Sequence, residues 1–415
     1  MRGLSLGSAR ARMHDLRSAF ALRDFAIYQT GNIISTIGFW MQRVAIGWVT
    51  WQMTGSATWL GIVAFAELFP SILTGLAGGV LADRKSSVMV MLVGQMAVGM
   101  VSVGLAVCHL AGVLSPWLIV AFMVIIGALS GLILPARLAM ASHLLPPALL
   151  PAGLAVNSAG FNLSRFIGPA LAAGMLVVTS AGMVFAITAA LYFAFALSLA
   201  IIRHSPPQSG PRRPAATVSM RQVVSDLALS PLVLAAILLQ LLQGVALRPA
   251  AELFPAFAET VFNRGEAGLG LLNAALGIGA VFGAIAFNAG HDGRSALMHV
   301  VRGTLVFAAT LAAFALTPWF GLALGVLVVQ GWMMTSTNIA AMSHVQLHTP
   351  RDRLGRVLSL YSLVFRVGPA LGAFLFGFGA DLTSLAAAGV GFAVLGVLGA
   401  GAVWLWLIRD TDPDG

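Results

Sequence analysis

The sequence predicts an all-α membrane protein of twelve transmembrane helices in two pseudo-symmetric six-helix bundles, and three observations carry that prediction. The first is composition: 59% of the 415 residues are hydrophobic, only 9% are charged, and mean hydropathy is +0.93, whereas a soluble chain carries roughly 25% charged residues. A water-soluble fold is excluded. The second is length, because apolar stretches near the ~20 residues that cross a bilayer follow one another along the chain. The third is repetition: Gly168-Pro169-Ala170-Leu171 returns 200 residues later as Gly368-Pro369-Ala370-Leu371. Two copies of one plan in an apolar chain point to movement across a bilayer, with the site where the copies meet.

Residues 1–24 contain Arg2, Arg10, Arg12, Arg17 and Arg23 and lack the apolar core and cleavage site of a secretory signal. They read as a cytoplasmic lead-in whose arginines sit near anionic headgroups. The first bundle, 25–202, holds spans at about 25–52, 57–82, 88–109, 115–143, 152–178 and 182–202. Turns as short as Thr54-Gly55-Ser56 separate them, which makes successive helices antiparallel neighbours. The one long break, 203–230, holds Pro206, Pro207, Pro211 and Pro214 with Arg212, Arg213 and Arg221, and reads as a cytoplasmic linker. The second bundle, 231–408, holds spans at about 231–258, 267–289, 295–316, 319–345, 357–380 and 384–408, before a cytoplasmic tail at 409–415.

The net charge of +9 resembles that of a nucleic-acid binder until the arginines are placed. Under twelve alternating crossings the N-terminus, Arg84, Lys85, the linker, Arg294, Arg351, Arg353, Arg356 and Arg409 fall on one side, and the opposite loops carry only Arg264. That asymmetry puts both termini in the cytoplasm and leaves no nucleic-acid partner to invoke. Further matches support the repeat: Ser142-His143 pairs with Ser343-His344 and Arg165 with Arg366 at an offset of 201, and Asp83, Met89 and Gly94 pair with Asp292, Met298 and Gly303 at 209. The second copy has therefore lost one residue between arginine and glycine. Measured from the shared glycine, this turns Arg366 by about 100° relative to Arg165.

A charge near the bilayer centre costs roughly 2.5–3.5 kcal/mol on insertion scales, so each needs a partner or a wet cavity. Arg43 and Glu67 lie roughly 15 Å below the same end of the first two spans, at 1.5 Å rise per residue. One reading makes Glu67 a carboxylate that exchanges protons as burial and Arg43 change around it; the other makes the two a permanent ion pair. On the seventh span Arg248 and Glu252 share an α-helical face, beside the ladder-breaking Pro249 and Pro255. They are a second coupling candidate or a simple intrahelical bridge. Arg165 and Arg366 are candidates for an anionic substrate group or for carbonyls freed by the following proline. Gly168-Pro169 and Gly368-Pro369 suit a hinge or sliding surface, since glycine admits a neighbouring backbone and proline weakens the helix.

Gly79-Val80-Leu81-Ala82-Asp83-Arg84 resembles the cytoplasmic signature loop of the major facilitator superfamily, although Ser86, Ser87 and Val88 replace its later glycine and basic residues. Pro135-Ala136-Arg137, Leu144 to Pro151, Asn157-Ser158, Asn162-Leu163-Ser164-Arg165 and Gly168-Pro169, with Trp40-Met41-Gln42 and Gly355-Arg356-Val357, are similar to the bacterial branch that includes enterobactin-type siderophore and drug exporters. The resemblance implies the major facilitator fold, in which spans 1, 4, 7 and 10 line the cavity. Gln29, Asn32 and Gln42, Gln240 and Gln243, and Gln330, Thr335 and Asn338 then become cavity candidates. It also implies a cytoplasmic gate, with Asp83 beside Arg84 set against the positive end of span 11 at Gly355 and Arg356; a solvated loop charge is the plain alternative. The charged motif that proton-coupled antiporters carry in span 4 is replaced by Gly127-Ala128-Leu129-Ser130-Gly131.

Cys108 is the only cysteine, and His344 and His348 lack a third ligand, so neither a disulfide nor a metal is expected. No phosphate-binding loop and no nucleophile with its base point to an ATP-driven pump or an enzyme. The leading expectation is a monomeric exporter of an amphipathic or hydrophobic small molecule in the bacterial inner membrane, working by alternating access and proton antiport without a cofactor. An uncoupled facilitator or importer would keep transporting after the proton gradient is dissipated. A non-transporting membrane sensor or lipid-handling scaffold would show no cavity open to alternate sides.

Overall fold

A computed structural model describes residues 6–202, 230–286, 293–350 and 353–411. The linker at 203–229, Asp292, Arg351 and the end of the tail lie outside the described residues. Helix α1 (Leu6–Ala21) is followed by α2 (Arg23–Thr54), α3 (Ala57–Arg84), α4 (Ser87–Leu110), α5 (Pro116–Leu144), α6 (Leu150–Val178) and α7 (Ala181–Ile201). After the linker come α8 (Pro231–Val261), α9 (Gly265–Ala286), α10 (Gly293–Leu316), α11 (Phe320–His348), α12 (Leu354–Leu382) and α13 (Leu385–Thr411). Away from their ends, helices satisfy their backbone groups from within, which a bilayer demands. Eleven of them are long and apolar enough to cross a membrane among the described residues. The remaining long helix, α2, spans 32 residues; Gln29, Asn32, Gln42 and Arg43 lower its hydropathy.

The predicted spans and the observed helices agree to within about a turn, with one difference of kind. Span 7 is not a regular helix: α8 passes from α-helix into a π turn at Gln243–Leu247, a 3₁₀ run at Arg248–Leu253 and a second π turn at Phe257–Val261. Pro249 and Pro255 lack the N–H that would continue an α ladder, and wide and tight turns absorb the mismatch. The shared α-helical face expected of Arg248 and Glu252 is lost there. Four residues subtend about 120° in a 3₁₀ run, against about 40° in an α-helix.

The chain divides into two compact units, one of Met1–Ile46 and Pro70–Arg212, the other of Gly47–Phe69 and Arg213–Gly415. The boundary crosses α2 at Ile46–Gly47 and α3 at Phe69–Pro70, where Pro70 interrupts the helix. In the first unit α4 packs along α5 and α7, around a core that includes Tyr28, Met91, Ile133, Tyr192 and Phe195. In the second, α11 packs along α9 and α10, and α10 along α13, around Val233, Leu239, Val300, Val345 and Tyr361.

The repeat appears as matching helix pairs inside each unit. In the first, a Cβ on Gly78 of α3 would strike the Leu132 carbonyl of α5, and one on Gly131 of α5 would strike Ser71 of α3. In the second, Gly279 of α9 sits on the Val328 carbonyl of α11, and Gly331 of α11 on the Leu276 carbonyl of α9. Spans 2 and 4, and again 8 and 10, meet backbone to backbone. The same holds for the Gly-Pro motifs: Gly168 of α6 lies against Ile37 and Trp40 of α2, and Gly368 of α12 lies against Gly244 of α8.

Such close approach is tolerant of nothing larger than hydrogen. Gly331→Ala should lower the thermal stability of the purified protein by roughly 1–3 kcal/mol, the usual cost of overpacking. Gly325→Ala on the same helix, where a Cβ meets nothing within 4 Å, should melt like the wild type. Equal melting of the two variants would show that the α9–α11 contact is looser than described.

Candidate functional site

In the first unit α2 presents its polar face inward. Asn32 donates to Asn157 Oδ1 of α6 at 3.0 Å. Ser35 donates to Gln95 Oε1 of α4 at 3.0 Å, and Ser102 of α4 donates to Gln42 Oε1 at 2.8 Å. Gln42 is thereby engaged in holding α2 to α4. Gln29 is wholly buried, and among the described residues neither of its amide atoms, nor Asn32 Oδ1, has a hydrogen-bond partner. Burying an unsatisfied amide costs about 1–3 kcal/mol, so this end of α2 holds polar capacity that packing does not use.

Arg165 lies with its guanidinium 5.5 Å from the centre of the Trp40 ring, and Trp40 stands edge-on to Phe39 and Phe161. This cation–π contact spans α6 and α2 just before Gly168 brings the two backbones together. Glu67 is buried at 6% exposure on α3, one turn before Pro70, while Arg43 is half-buried on α2. Asp83 and Arg84 are exposed in the last turn of α3.

In the second unit the irregular stretch of α8 anchors a denser polar cluster. With the Gln240 amide oriented so that its oxygen faces the guanidinium, Oε1 accepts from Arg248 Nη2 at 2.6 Å and Nη1 at 2.9 Å. The same amide meets the Tyr361 hydroxyl at 3.4 Å, and that hydroxyl donates to Asn338 Oδ1 of α11 at 3.0 Å. The Arg248 guanidinium also lies 4.6 Å from the centre of the Phe365 ring of α12. Gln243, wholly buried in the first π turn, donates to Thr304 Oγ1 of α10 at 2.7 Å and accepts from Thr337 of α11 at 3.1 Å. Gln330 is buried on α11, and Glu252 is half-buried in the 3₁₀ run.

Arg366 differs from its repeat partner. It is half-buried on α12 and makes no hydrogen bond, ion pair or ring contact among the described residues. Where Gly168 faces Trp40, Gly368 faces Gly244, so α8 has no ring at the matching position, and the offset of one residue also turns Arg366 by about 100° relative to Arg165. Gly355 and Arg356 begin α12, with Gly355 exposed.

Sequence reasoning named Gln240, Arg248 and Asn338 separately; the structure gathers them around two residues that it did not name, Tyr361 and Phe365. Both lie on α12, and a tyrosine or phenylalanine in an apolar span carries no polar periodicity to flag it. Asn157, Gln95 and Ser102 were missed as partners of α2 because partnership across helices is not written in spacing.

Comparison with known proteins places the family and the fold. Residues 17–414 match the major facilitator family described as transmembrane secretion effectors. The enterobactin exporter EntS of Escherichia coli O1:K1 / APEC is 30% identical over 397 residues, covering 92% of this chain and 90% of that protein. Among solved structures, the nucleoside transporter NupG superposes with a TM-score of 0.71 at 15% identity, over 92% of this chain and 98% of that one. A bacterial homolog of the human lysosomal transporter Spinster gives 0.68 at 16% identity, over 93% and 95%. By sequence over nearly its whole length and by fold, the chain belongs to the major facilitator superfamily of membrane transporters, in its transmembrane secretion effector family.

Proposed function

We propose that this transporter exports an amphipathic small molecule bearing an anionic group, by alternating access and in exchange for protons. Outward direction is supported by the exporter relatives. The observation that carries the coupling is Glu67, a carboxyl group at 6% exposure inside an apolar span. Such a group is expensive in a bilayer and is retained where it does work. Beside Pro70, a change in local water alters how tightly it holds its proton, and Arg43 is the second candidate for the coupling. Arg248 and Glu252 are the reserve pair for the same task.

Arg366 supplies the anion contact, because a guanidinium inside a span needs a negative partner or a wet cavity and finds no protein partner among the described residues. In the first unit the amide of Gln29, and in the second the cluster of Gln240, Tyr361 and Asn338, are the candidates for hydrogen bonds to the polar part of the cargo. Trp40, Phe161 and Phe365 offer ring faces to its apolar part. Asp83 and Arg84 at the end of α3, and Gly355 and Arg356 at the start of α12, are the candidates for a cytoplasmic gate. The protein works as a monomer in the bacterial cytoplasmic membrane with both termini inside.

Glu67→Gln should reduce pH-driven uptake into inverted vesicles at least about tenfold, a loss of ~1.4 kcal/mol or more in driving the step, while thermal melting stays near wild type. Undiminished uptake would exclude Glu67 from coupling. For Arg366, a thermal-shift screen of siderophores, antibiotics and dyes supplies the readout, since a ligand at 100 times its Kd stabilises by about 2.7 kcal/mol. Anionic compounds that stabilise the wild type should fail to stabilise Arg366→Gln and should still stabilise Arg366→Lys. If Arg366→Gln responds to them as the wild type does, another residue receives the anion.

A further inference from the structure

One acidic side chain outside the proposed site sits at the wrong end of its own helix. Asp381 is exposed in the last turn of α12, where the negative pole of the helix dipole disfavours a carboxylate. Its compensation comes from 325 residues earlier in the chain, where Ser56 Oγ donates to Oδ2. The backbone N–H of Ala57 donates to Oδ1 and that of Thr58 to Oδ2, each at 2.9 Å. These are the first free donors of α3, so Asp381 acts as the N-cap of a helix from the other half of the sequence. Two glycines bring the ends together. A Cβ on Gly61 of α3 would strike the Ala373 carbonyl of α12, and one on Gly377 of α12 would strike the Ala57 carbonyl of α3.

We propose that Asp381 is the outer latch of the transporter: a cap that docks the start of α3 on the end of α12 while the outer side is shut and lets go when it opens. Two features make the contact releasable. It lies at an exposed surface, so its donors pass to water without being stranded in hydrocarbon. A substitute is also already in place, since Ser56 Oγ accepts from Trp59 N at 3.4 Å and Thr54 Oγ1 accepts from Ser56 N at 3.3 Å. With Asp381 gone, α3 keeps a local serine cap. Gly55, at φ +59°, makes the turn that leads into this cap.

The latch rests on the alternating-access reading and extends it. The proposed inner gate relies on the acid at the end of α3, Asp83; the outer latch uses the acid at the end of α12 against the start of α3.

Spin labels at two exposed positions of the outer ends, Gln52→Cys and Ala387→Cys in a Cys108→Ser background, would report the separation of α2 and α13 in nanodiscs. The unaltered latch should give mainly the short distance. Asp381→Ala should raise the ratio of long to short distances about tenfold, Asp381→Asn should do so to a lesser extent, and Ser56→Ala least, because it removes only one of the three bonds. Size-exclusion profiles and melting curves establish folding; if Asp381→Ala does not fold, Asp381→Asn carries the test. An unchanged distribution in the folded Asp381 variants overturns the latch. Asp83→Asn separates the two ideas: it should favour the short outer distance if the gates alternate. Movement with the Asp381 variants but none with Asp83→Asn keeps the latch and sinks alternating access between these gates.

Discussion

Inside a bilayer no hydrophobic force draws one helix to another, because lipid tails are as apolar as leucine, so everything else in this structure depends on how closely backbones approach. The glycines at positions 78, 131, 279 and 331 are placed for that purpose, each against a carbonyl of the facing helix. Gly168 and Gly368 do the same for the pairs that carry the proline motif. Approach at this range turns weak dispersion and small dipoles into the main adhesive. It also sets the mechanical character of the protein: smooth contacts between glycine faces resist separation yet permit sliding, which interlocked large side chains do not.

Polar groups are then free to be used sparingly, and the two halves use them differently. Both tie the first helix of the half to the third through an amide and a hydroxyl: Gln42 with Ser102, and Gln243 with Thr304. Beyond that shared tie they diverge. Among the described residues the first half leaves both amide atoms of Gln29 and the Oδ1 of Asn32 without partners on a regular helix. The second engages Arg248, Gln240, Tyr361 and Asn338 around a helix broken into π and 3₁₀ turns. Arg165 rests on a tryptophan, whereas Arg366 has no protein partner among the described residues. The two copies share the frame, but the ring that holds Arg165 is replaced by Gly244 in the second.

Much of the frame is legible in the sequence because the bilayer enforces it. Span lengths, the apolar runs and the short turns predict the helices to within a turn, and the offsets of 200 and 201 residues predict matching pairs. Pro249 and Pro255 signal that span 7 is irregular. They do not say that π turns flank a 3₁₀ run, nor that Gly368 and Gly372 of α12 lie against that stretch. The cluster of Gln240, Arg248, Tyr361 and Phe365 was only half legible, because a tyrosine hydroxyl becomes informative once its distance to an amide is known. Gly279 and Gly331 read as ordinary glycines among the 46 in the chain; which of them face a carbonyl is a fact of register between helices.

Asp381 was the least legible, although its signal was present: an acid in the last turn of a helix, where the dipole repels it. That misplacement also explains why the contact suits a latch better than a strut. A carboxylate at the start of its own helix would be content in any state, and its loss from a partner would matter little. At the end of α12 it is disfavoured until the donors of α3 arrive, so docking relieves a penalty that undocking restores. Water and Ser56 keep that penalty to the order of one or two hydrogen bonds, about 1–3 kcal/mol. A contact of that size biases two states strongly and still yields to a bound ligand, whose differential affinity need only exceed it.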